Sequence, residues 1–383
     1  MYIPQIQIKN VKQFLSPGKV VVIYGARRTG KTTLLHKFLE EFKDNYPHMR
    51  DKILFVNGDD IIVRDYLESQ SVQKLKEFVG GNNLLIIDEA QYIHQIGLNL
   101  KLIVDNIPDI QIIATGSSSF ELAQDIGEPL TGRKYVVKLF PLAQMELSKI
   151  EKSHETIAKL ENRLIYGSYP EVITLGNKLK QEEYLNELVN AYLFKDILAL
   201  EGIRHSDKLL RLLQLLAFQI GQEVSLNELG GQLEMSKNTV ERYLDLLEKV
   251  FVIYHLNGFS RNLRKEISKT KRYFFFDNGI RNSLIRNFNP LKIRDDQGQI
   301  WENYIITERI KRQEYKHEFT NFYFWRTYNQ QEIDLVEERG GKIYGYEIKW
   351  QKKQIKVPTE WQKAYSEASF NVINQENYLD FIL

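Results

Sequence analysis

A phosphate-binding pattern lies near the amino end of the chain. The residues from Gly25 to Thr32 read GARRTGKT and satisfy G-x-x-x-x-G-K-[ST] at every required position. Glycines let successive backbone N–H groups surround phosphate oxygens, and the dipole of the following helix adds positive potential. In this pattern Lys31 reaches the β- and γ-phosphates, and the Thr32 hydroxyl ligates Mg²⁺. The predicted nucleotide-binding residues here are Gly25, Ala26, Arg27, Arg28, Thr29, Gly30, Lys31, Thr32 and Thr33.

An acidic pair at the end of an apolar strand complements this loop. Residues 84–87 read LLII and lead directly into Asp88 and Glu89. Because ligands of open α/β sheets bind at the carboxyl ends of the strands, Asp88 is predicted to hold Mg²⁺ through water. Glu89 is suited to polarise an attacking water, which favours nucleotide hydrolysis over binding alone.

Three further residues near this site each admit two interpretations. Thr115 and Ser117 stand at the end of another apolar strand, where they could sense the γ-phosphate or form an ordinary strand-to-helix cap. Arg133 precedes the next strand and is either an arginine finger, acting in cis or from a neighbouring molecule, or a solvated surface residue. The sequence leaves these alternatives open.

A second set of residues with chemical potential lies near the carboxyl end. The Gly340-Gly341 pair predicts a two-residue hairpin loop. If Arg339 and Lys342 close that loop, polar residues pair on one face of the hairpin and apolar residues on the other. The predicted pairs are Asp334 with Glu347, Glu332 with Lys349, Ile333 with Ile348, and Leu335 with Tyr346.

Asp334 followed by Glu347-x-Lys349 is the core of the PD-(D/E)xK nuclease pattern. Two such carboxylates can hold a second Mg²⁺, or a Mn²⁺, beside a scissile phosphate, while the lysine orients water. Glu302, on a predicted helix, is a candidate third carboxylate. The alternative is a cross-strand ion pair between Glu332 and Lys349, with Asp334 facing solvent.

Two short helices and a basic segment suggest a DNA-binding element. Ser225 has the capping-box spacing with Glu228, and Ser236 is placed to cap a second helix, as in a helix-turn-helix. The predicted DNA contacts are Lys237, Asn238 and Arg242 on that helix, and Arg261, Arg264, Lys265, Lys269, Lys271 and Arg272 in the basic strip after it. The alternative is a winged helix that packs against the ATPase domain and has a solvated charged face. Three acidic residues of the second helix favour it: Glu241, Asp245 and Glu248.

The elements that position these residues follow from the apolar pattern. Short β-branched runs alternate with helical stretches, at residues 20–24, 53–57, 84–88, 110–115 and 134–140. Near-continuous apolar strands between helices predict a buried, mainly parallel α/β sheet. Pattern changes divide the chain into a P-loop α/β domain at 1–150, a helical lid at 151–205, a winged helix at 206–288 and a nuclease-like α+β domain at 289–383.

The composition limits the classes of function. The chain has 383 residues, 52 basic and 50 acidic side chains, and no cysteine. Thiol catalysis, iron–sulfur clusters and cysteine zinc sites are therefore excluded. The net charge of +2 means that any basic surface is local. Because no signal-like start or spanning apolar segment is visible, we expect a soluble, cytoplasmic protein without membrane contact.

The chain resembles the prokaryotic AAA-type P-loop ATPases of the archaeal-ATPase kind, relatives of the signalling STAND class. The resemblance rests on GARRTGKTTLL, LLIIDEAQ, IIATGSSS, LTGRKYVVKLFPL and YGSYPEVI. It implies an ASCE-type sheet with Glu89 as catalytic base, Thr115 or Ser117 as sensor, and Arg133 as the arginine. The guanine-specifying N-K-x-D pattern is absent, because the only Asn-Lys pair opens Asn177-Lys178-Leu179-Lys180. ATP is therefore favoured over GTP.

The second half resembles the domain of unknown function usually fused behind these ATPases. The similar segments are SKNTVERYLDLLEKVFVIYHL, RYFFFDNGIRNSL, IWENYIITERI and FYFWRTYNQQEIDLV. That domain implies a winged helix and a restriction-endonuclease-like fold, although Ile333 rather than proline precedes Asp334 here.

Two hypotheses follow. The first is an ATP hydrolase whose nucleotide state controls DNA binding and a Mg²⁺-dependent nuclease. The second is a nucleotide-dependent switch or scaffold with an inactive nuclease fold, acting through protein partners or as a homo-oligomer.

Overall fold

The computed structural model describes residues 2–117, 129–193, 206–261 and 271–383. Two β-sheets organise this part of the chain. The first has five strands and the second has seven. A helical segment lies between them in the sequence.

The first sheet is parallel throughout. Its strands are β1 (Val20–Gly25), β2 (Ile53–Asn57), β3 (Leu84–Asp88), β4 (Gln111–Gly116) and β5 (Lys134–Leu139), in the order β2-β3-β4-β1-β5. The predicted apolar runs coincide with these strands to within about one residue, so the α/β prediction is confirmed. Because β4 lies between β1 and β3, it places Thr115 between the phosphate loop and Asp88.

Side chains of β1 alternate between two apolar cores. Val20, Val22 and Tyr24 join one core, whereas Val21 and Ile23 join the other, because successive residues of a strand point to opposite faces. Helices cover both faces of the sheet: α1 (Gln7–Phe14), α2 (Lys31–Asn45), α3 (Ile61–Leu67), α4 (Val72–Val79) and α5 (Ile96–Asn106).

The described part of the segment after β5 is helical, and the lid at 151–205 stays a prediction. Its helices are α6 (Gln144–Leu147), α7 (Ser153–Tyr166), α8 (Pro170–Thr174), α9 (Lys178–Glu187) with a π-helical continuation at Leu188–Leu193, and α10 (Ser206–Phe218). Gly167 ends α7 with a φ of 75°. A Cβ there would lie 2.0 Å from Asp277 Oδ1, so only glycine lets the chain approach this carboxylate.

The second sheet contains the strands of both the predicted winged helix and the carboxyl-terminal domain. They are β6 (Glu223–Val224), β7 (Ile253–Gly258), β8 (Lys271–Phe275), β9 (Asn321–Arg326), β10 (Glu332–Arg339), β11 (Lys342–Ile348) and β12 (Ser369–Ile373). The order is β12-β11-β10-β9-β7-β8-β6, and β7 pairs in parallel with β9. The sheet is thus continuous across the predicted boundary at residue 288.

Helices pack on this sheet around two apolar cores. They are α11 (Leu226–Leu233), α12 (Lys237–Lys249), α13 (Asn278–Leu284), α14 (Gln297–Lys316), α15 (Thr359–Ala364) and α16 (Tyr378–Ile382). The larger core runs from Leu160 on α7 to Ile382 on α16, so the helical segment after β5 shares it. Trp361 on α15 belongs to the smaller core, with Trp325 and Ile333. The predicted domain boundaries remain predictions. Within the described ranges, none of the helices has both the length and the apolar character that crossing a membrane demands.

The carboxyl-terminal hairpin has the predicted register. Gly340 and Gly341 form its loop with φ values of 55° and 74°, the sign that a two-residue hairpin turn needs at both positions. The ladder pairs Arg339 with Lys342 and continues to Leu335 opposite Tyr346. This register puts Asp334 and Glu347 at the same end of the hairpin.

Candidate functional site

The phosphate loop is built at the carboxyl end of β1. A Cβ at Gly25 would lie 2.2 Å from the carbonyl oxygen of Leu139, so the close pairing of β1 and β5 requires glycine. Gly30 begins α2 with a φ of 94°, which orients the first N–H groups of the helix toward the loop. Thr29 Oγ1 donates to the carbonyl of Ala26 at 2.8 Å and closes the loop from within.

Lys31 lies inside this loop. Its Nζ donates to the carbonyl oxygens of Gly25 at 2.9 Å and Ala26 at 3.0 Å, and the side chain is buried. A lysine held in this way places one positive charge among the loop N–H groups. The arrangement is the one expected for binding a polyphosphate.

Three oxygen-bearing side chains meet beside the loop. Thr32 Oγ1 donates to Asp88 Oδ2 at 2.7 Å, and Thr115 Oγ1 donates to the other oxygen of Asp88. The backbone N–H of Glu89 donates to Thr115 Oγ1 at 3.1 Å. Hydroxyl and carboxylate oxygens are the ligands that Mg²⁺ prefers, so Thr32 and Asp88 fit the predicted cation. Thr115 therefore contacts Asp88, and its sensor role remains a prediction.

Glu89 has a second partner that the sequence interpretation missed. Its backbone is left-handed, with a φ of 52°, and its carboxylate accepts a hydrogen bond from Gln91 Nε2. Gln91 Oε1 in turn accepts from the N–H of Ser117 at 3.2 Å. Gln91 thus joins the predicted base to the end of β4. The only sequence cue was its place in the LLIIDEAQ segment.

Arg133 lies at the opposite edge of the sheet. Its carbonyl oxygen accepts from Val20 N, at the first residue of β1, whereas the phosphate loop follows the last. Its Nε donates to Asp105 at 2.7 Å. Six strand residues span roughly 20 Å, so a cis contact with the phosphates of its own chain is ruled out by position. The contact in trans stays a prediction.

A cavity of about 230 Å³ opens beside the phosphate loop. Its walls come from the amino-terminal segment, the loop and helix α2, the turn after β5, and α8: Tyr2, Ile3, Gln5, Gly30, Thr33, Leu142, Pro170, Glu171 and Thr174. Gln5 Nε2 donates to the carbonyl of Thr29 at 3.0 Å and ties that segment to the loop. Gly30 and Thr33 were predicted as nucleotide-binding residues, whereas the sequence interpretation assigned no site role to the other wall residues.

Glu146 holds two walls of this cavity together. Its carboxylate accepts from the backbone N–H of Ile6 at 2.8 Å and of Ala143 at 2.9 Å. Burial raises the pKa of Glu146 to about 7, although both N–H groups and the charge of Lys311 oppose the shift. The link between the amino-terminal segment and the turn after β5 therefore depends on a buried carboxylate.

The predicted residues near the carboxyl end also come together. Lys349 Nζ lies 2.7 Å from Glu347 Oε1 and 3.3 Å from Asp334 Oδ2. Asp334 Oδ2 also accepts from the N–H of Ile348 at 2.8 Å. Glu302 completes a set that we call the carboxylate cluster, defined as Glu302, Asp334, Glu347 and Lys349.

Electrostatic coupling marks the carboxylate cluster. Burial and then the charge of Asp334 raise the pKa of Glu347 to about 7 and raise that of Glu302 well above its ordinary value. Burial opposes the charged form of Lys349, but Asp334 and Glu347 raise its pKa overall. Among the described residues, Glu302 Oε1 and Glu347 Oε2 are buried without a hydrogen-bond partner.

The carboxylate cluster is arranged around a lysine and not around a metal. In the described part of the chain, no group of three or more histidine, aspartate or glutamate side chains is placed to hold a metal ion. Lys349 Nζ lies between the two carboxylates that were expected to share a cation. The predicted second Mg²⁺ or Mn²⁺ site is thus not formed in this conformation, although unpaired carboxylate oxygens have the right chemistry.

The alternative prediction for the hairpin, an ion pair between Glu332 and Lys349, is wrong. Glu332 instead pairs with Arg272 Nη2 at 2.8 Å. Arg272 is buried, and its guanidinium lies 4.4 Å from the centre of the Phe324 ring. The predicted DNA contact at Arg272 is therefore also wrong, because its charge is already used within the protein.

The helix-turn-helix elements have the predicted caps. Ser225 accepts from Glu228 N, and Ser236 accepts from Thr239 N. Of the predicted contacts, Lys237, Asn238, Arg242 and Arg261 are exposed, and Lys271 is half-buried at the start of β8. Arg264, Lys265 and Lys269 lie outside the described residues.

Helix α14 runs from the carboxylate cluster to the nucleotide domain. Glu302 is near its first turn, and Glu308 Oε2 accepts from the N–H of Gln144 at 2.5 Å. Near the last turn, Tyr315 Oη accepts from Phe140 N at 3.2 Å. One helix of 20 residues therefore contacts both candidate sites.

Family comparisons divide the chain into three regions. Residues 17–148 match the AAA domain family, which covers the phosphate loop, Asp88 and Thr115. Residues 157–291 and 297–378 match two domains of unknown function, DUF8612 and DUF4143. The chain thus carries an AAA-type P-loop ATPase domain followed by a DUF4143 domain.

Curated relatives extend over most of the chain. An uncharacterized protein of Methanocaldococcus jannaschii is 26% identical over 322 residues, covering 79% of this chain and 69% of the relative. An uncharacterized protein of Mycobacterium tuberculosis is 26% identical over 352 residues, covering 88% and 72%. Among solved structures, the Aeropyrum pernix ORC2 protein in ADPNP–ADP complexes is 15% identical with a TM-score of 0.41, covering 70% of this chain and 86% of that one. A structural likeness this remote carries no information about function.

Proposed function

We propose that this chain, with its AAA-type domain at residues 17–148, is an ATP hydrolase whose nucleotide state controls nucleic-acid binding by the second half. The convergence of Lys31, Thr32, Asp88 and Glu89 at the carboxyl edge of one parallel sheet carries the proposal. ATP is the favoured nucleotide because the chain lacks a guanine-specifying pattern.

The chemistry assigned to each residue follows from its position. Backbone N–H groups of the loop and the ammonium of Lys31 bind and orient the β- and γ-phosphates. Thr32 and Asp88 would hold Mg²⁺, which neutralises charge on the phosphates when bound. Glu89 then accepts a proton from the attacking water. Gln91 bonds the Oε2 oxygen of Glu89 and so orients the carboxylate, which leaves Oε1 to accept from water.

Phosphate release under steady-state conditions tests this proposal. Lys31→Ala should abolish ATP turnover, and Glu89→Gln should keep nucleotide binding while lowering kcat by about 10²-fold or more. Lys37→Ala is the matched control, because Lys37 is on the same helix but pairs with Glu40 away from the loop. Unchanged turnover in Lys31→Ala would remove the phosphate site from the proposal.

Helix α12 is the proposed DNA-contacting element. Lys237 and Arg242 are exposed on the helix that Ser236 caps, so both side chains could enter the major groove of duplex DNA. Charge reversal at these two residues should weaken binding of duplex DNA and lower its salt dependence. Reversal of Lys249, exposed at the other end of α12, is the control. Equal effects of both reversals would argue against recognition by this helix.

A second candidate function is metal-dependent cleavage of nucleic acid at the carboxylate cluster. The observation that favours it is the convergence of Glu302, Asp334, Glu347 and Lys349 with two unpaired buried oxygens. Linear and circular DNA incubated with Mg²⁺ or Mn²⁺ and ATP should be cut by the wild type and not by Asp334→Ala. Asp380→Ala, at an exposed carboxylate of the same domain, should cut normally.

The competing proposal is a nucleotide-dependent switch with an inactive cluster, in which Lys349 permanently neutralises Asp334 and Glu347. It predicts ATP turnover without cleavage of any DNA form. It also predicts that Lys349→Ala destabilises the fold, because two buried carboxylates would lose their counter-charge.

A further inference from the structure

A lysine-rich segment borders the carboxylate cluster. Residues 350–358 join β11 to α15, and we call them the strap. Lys352, Lys353 and Lys356 are exposed on it, and no acidic residue occurs between Ile348 and Thr359. In the described part of the chain, Lys353 and Lys356 form no ion pair. Lys352 pairs with Glu376 at 2.7 Å, but the two side chains are 72% and 63% exposed, so this contact is weak.

Both ends of the strap are fixed beside the cluster. At its start Trp350 contacts the ring of Trp301 at 5.3 Å between centroids, and Trp301 precedes Glu302 on α14. Just past its end, Thr359 Oγ1 accepts from Gln331 Nε2 at 3.2 Å. Because Gln331 directly precedes β10, the strap and the β9–β10 loop lie at the sheet edge that carries Asp334.

The β9–β10 loop adds an aromatic ring at that edge. Tyr328 is 92% exposed, although the turn that carries it is closed by a bond from Thr327 N to the Gln331 carbonyl at 2.9 Å. Asn329 Nδ2 also donates to Glu360 Oε1 at 2.6 Å. A tyrosine held outward on an ordered turn offers an aromatic face at low entropic cost.

We propose that the strap and Tyr328 bind single-stranded nucleic acid. Lys352, Lys353 and Lys356 contact successive phosphates, and a base stacks on Tyr328, which leads the backbone past the carboxylate cluster. Stacking requires a base outside a duplex, which favours a single strand. This inference rests on the proposed nucleic-acid role of the second half and names the form of the nucleic acid and its contact residues.

An anionic membrane surface is the less favoured partner. It would also attract lysines, but a bilayer surface has no base to stack on Tyr328. The strap and Tyr328 together therefore fit a single strand better than a membrane.

Fluorescence anisotropy tests the inference with the full chain and a labelled thymidine oligonucleotide of about 20 nucleotides. EDTA is present and ATP is absent, so neither cleavage nor hydrolysis affects the result. Replacing the three strap lysines by alanine should weaken binding at least tenfold and reduce the slope of log affinity against log salt by about 2. Tyr328→Ala should weaken binding about fivefold or more without changing the slope, and Tyr328→Phe should bind as the wild type does.

The matched control replaces three exposed lysines of the first domain, Lys52, Lys74 and Lys76, which makes the same change in net charge. If this control and the strap variant lose equal affinity, the strap is not a binding surface. Equal binding by Tyr328→Ala and the wild type would overturn the stacking assignment. A loss of duplex affinity in the strap variant as large as its loss of single-strand affinity would overturn the single-strand assignment. Preferential binding of phosphatidylserine vesicles would overturn the choice of partner. DNA cutting by Asp334→Ala and ATP turnover by Lys31→Ala are measured in separate assays. Failure of the nuclease or ATPase proposal is therefore distinguishable from failure of this inference.

Discussion

Asp277 offers a prediction about the joint between the nucleotide cavity and the second half. This buried carboxylate accepts backbone N–H bonds from Ser168 at 2.7 Å, Gly279 at 2.8 Å and Ile280 at 3.2 Å. The carbonyl of Ser168 in turn accepts from Leu142, a wall residue of the cavity. Asp277→Ala would therefore release three donors and loosen the turn that supports this wall.

The expected cost comes from the three backbone N–H groups, which would lose their acceptor in a buried place. A buried donor left without a partner costs about 1 kcal/mol or more. Burial raises the pKa of Asp277 to about 6 from the ordinary 3.8, against the three N–H groups and Lys311. Asp277→Ala should thus destabilise the protein by about 3 kcal/mol.

The pH dependence has a definite sign. Because the folded-state pKa lies above the ordinary value, the folded protein binds the proton more tightly than the unfolded chain does. The stability linked to this proton is present below about pH 4 and is lost as pH rises toward and just past the folded pKa of about 6. Asp277→Asn removes the titration and keeps one acceptor oxygen, so it isolates this effect.

Thermal unfolding followed by intrinsic fluorescence between pH 4 and 8 is the assay. The unfolding temperature of the wild type should fall relative to that of Asp277→Asn as pH rises from about 4 to about 6.5. At higher pH the difference between the two unfolding temperatures should stay constant. The Michaelis constant for ATP should rise in Asp277→Ala, since Leu142 loses its support. If the unfolding temperatures of the wild type and Asp277→Asn differ by the same amount at every pH, Asp277 does not have the raised pKa that its burial implies.

Three further predictions follow from the site geometry. Gln91→Ala should lower kcat for ATP about tenfold with an unchanged Michaelis constant, because the base loses its orientation but the phosphate contacts remain. Arg133→Ala should leave the affinity for a fluorescent ATP analogue unchanged, since Arg133 lies at the far edge of the sheet, and a weaker affinity would contradict this placement. Gly167→Ala should lower the unfolding temperature by several degrees in a thermal scan, because a Cβ would lie 2.0 Å from Asp277 Oδ1. An unchanged temperature would show that the turn can move aside.

The local features of the nucleotide site were predictable because each depends on a few neighbouring residues. The loop from Gly25 to Thr32, the strand ending at Asp88 and the glycine hairpin all follow rules of local geometry. Contacts between side chains that are far apart in the sequence were less predictable. Glu332 was assigned to Lys349 from the hairpin alone, whereas β8 brings Arg272 to it from 60 residues away.

The walls of the nucleotide cavity were also hard to predict from the sequence. Tyr2, Leu142 and Pro170 come from segments far apart in sequence, and none carries a chemical pattern by itself. Their convergence depends on how α8 packs and on the buried bonds of Glu146. Gln91 was visible in a motif but acquired a role only when the left-handed backbone of Glu89 placed the two side chains together.

Helix α14 connects the nucleotide domain to the carboxylate cluster, so it can transmit a movement between them. Phe140 lies in the turn that follows β5 and bounds the nucleotide cavity, and Gln144 begins α6 directly after that turn. Both are hydrogen-bonded to α14. Its 20 residues span about 30 Å as one continuous element. Because α14 is buried along most of its length, it cannot bend locally without breaking core contacts. Any nucleotide-dependent shift of the turn must therefore move the helix as a unit, and with it Glu302. A displacement of Glu302 relative to Asp334 would change the charge balance around Lys349, which is the step that the nuclease proposal requires.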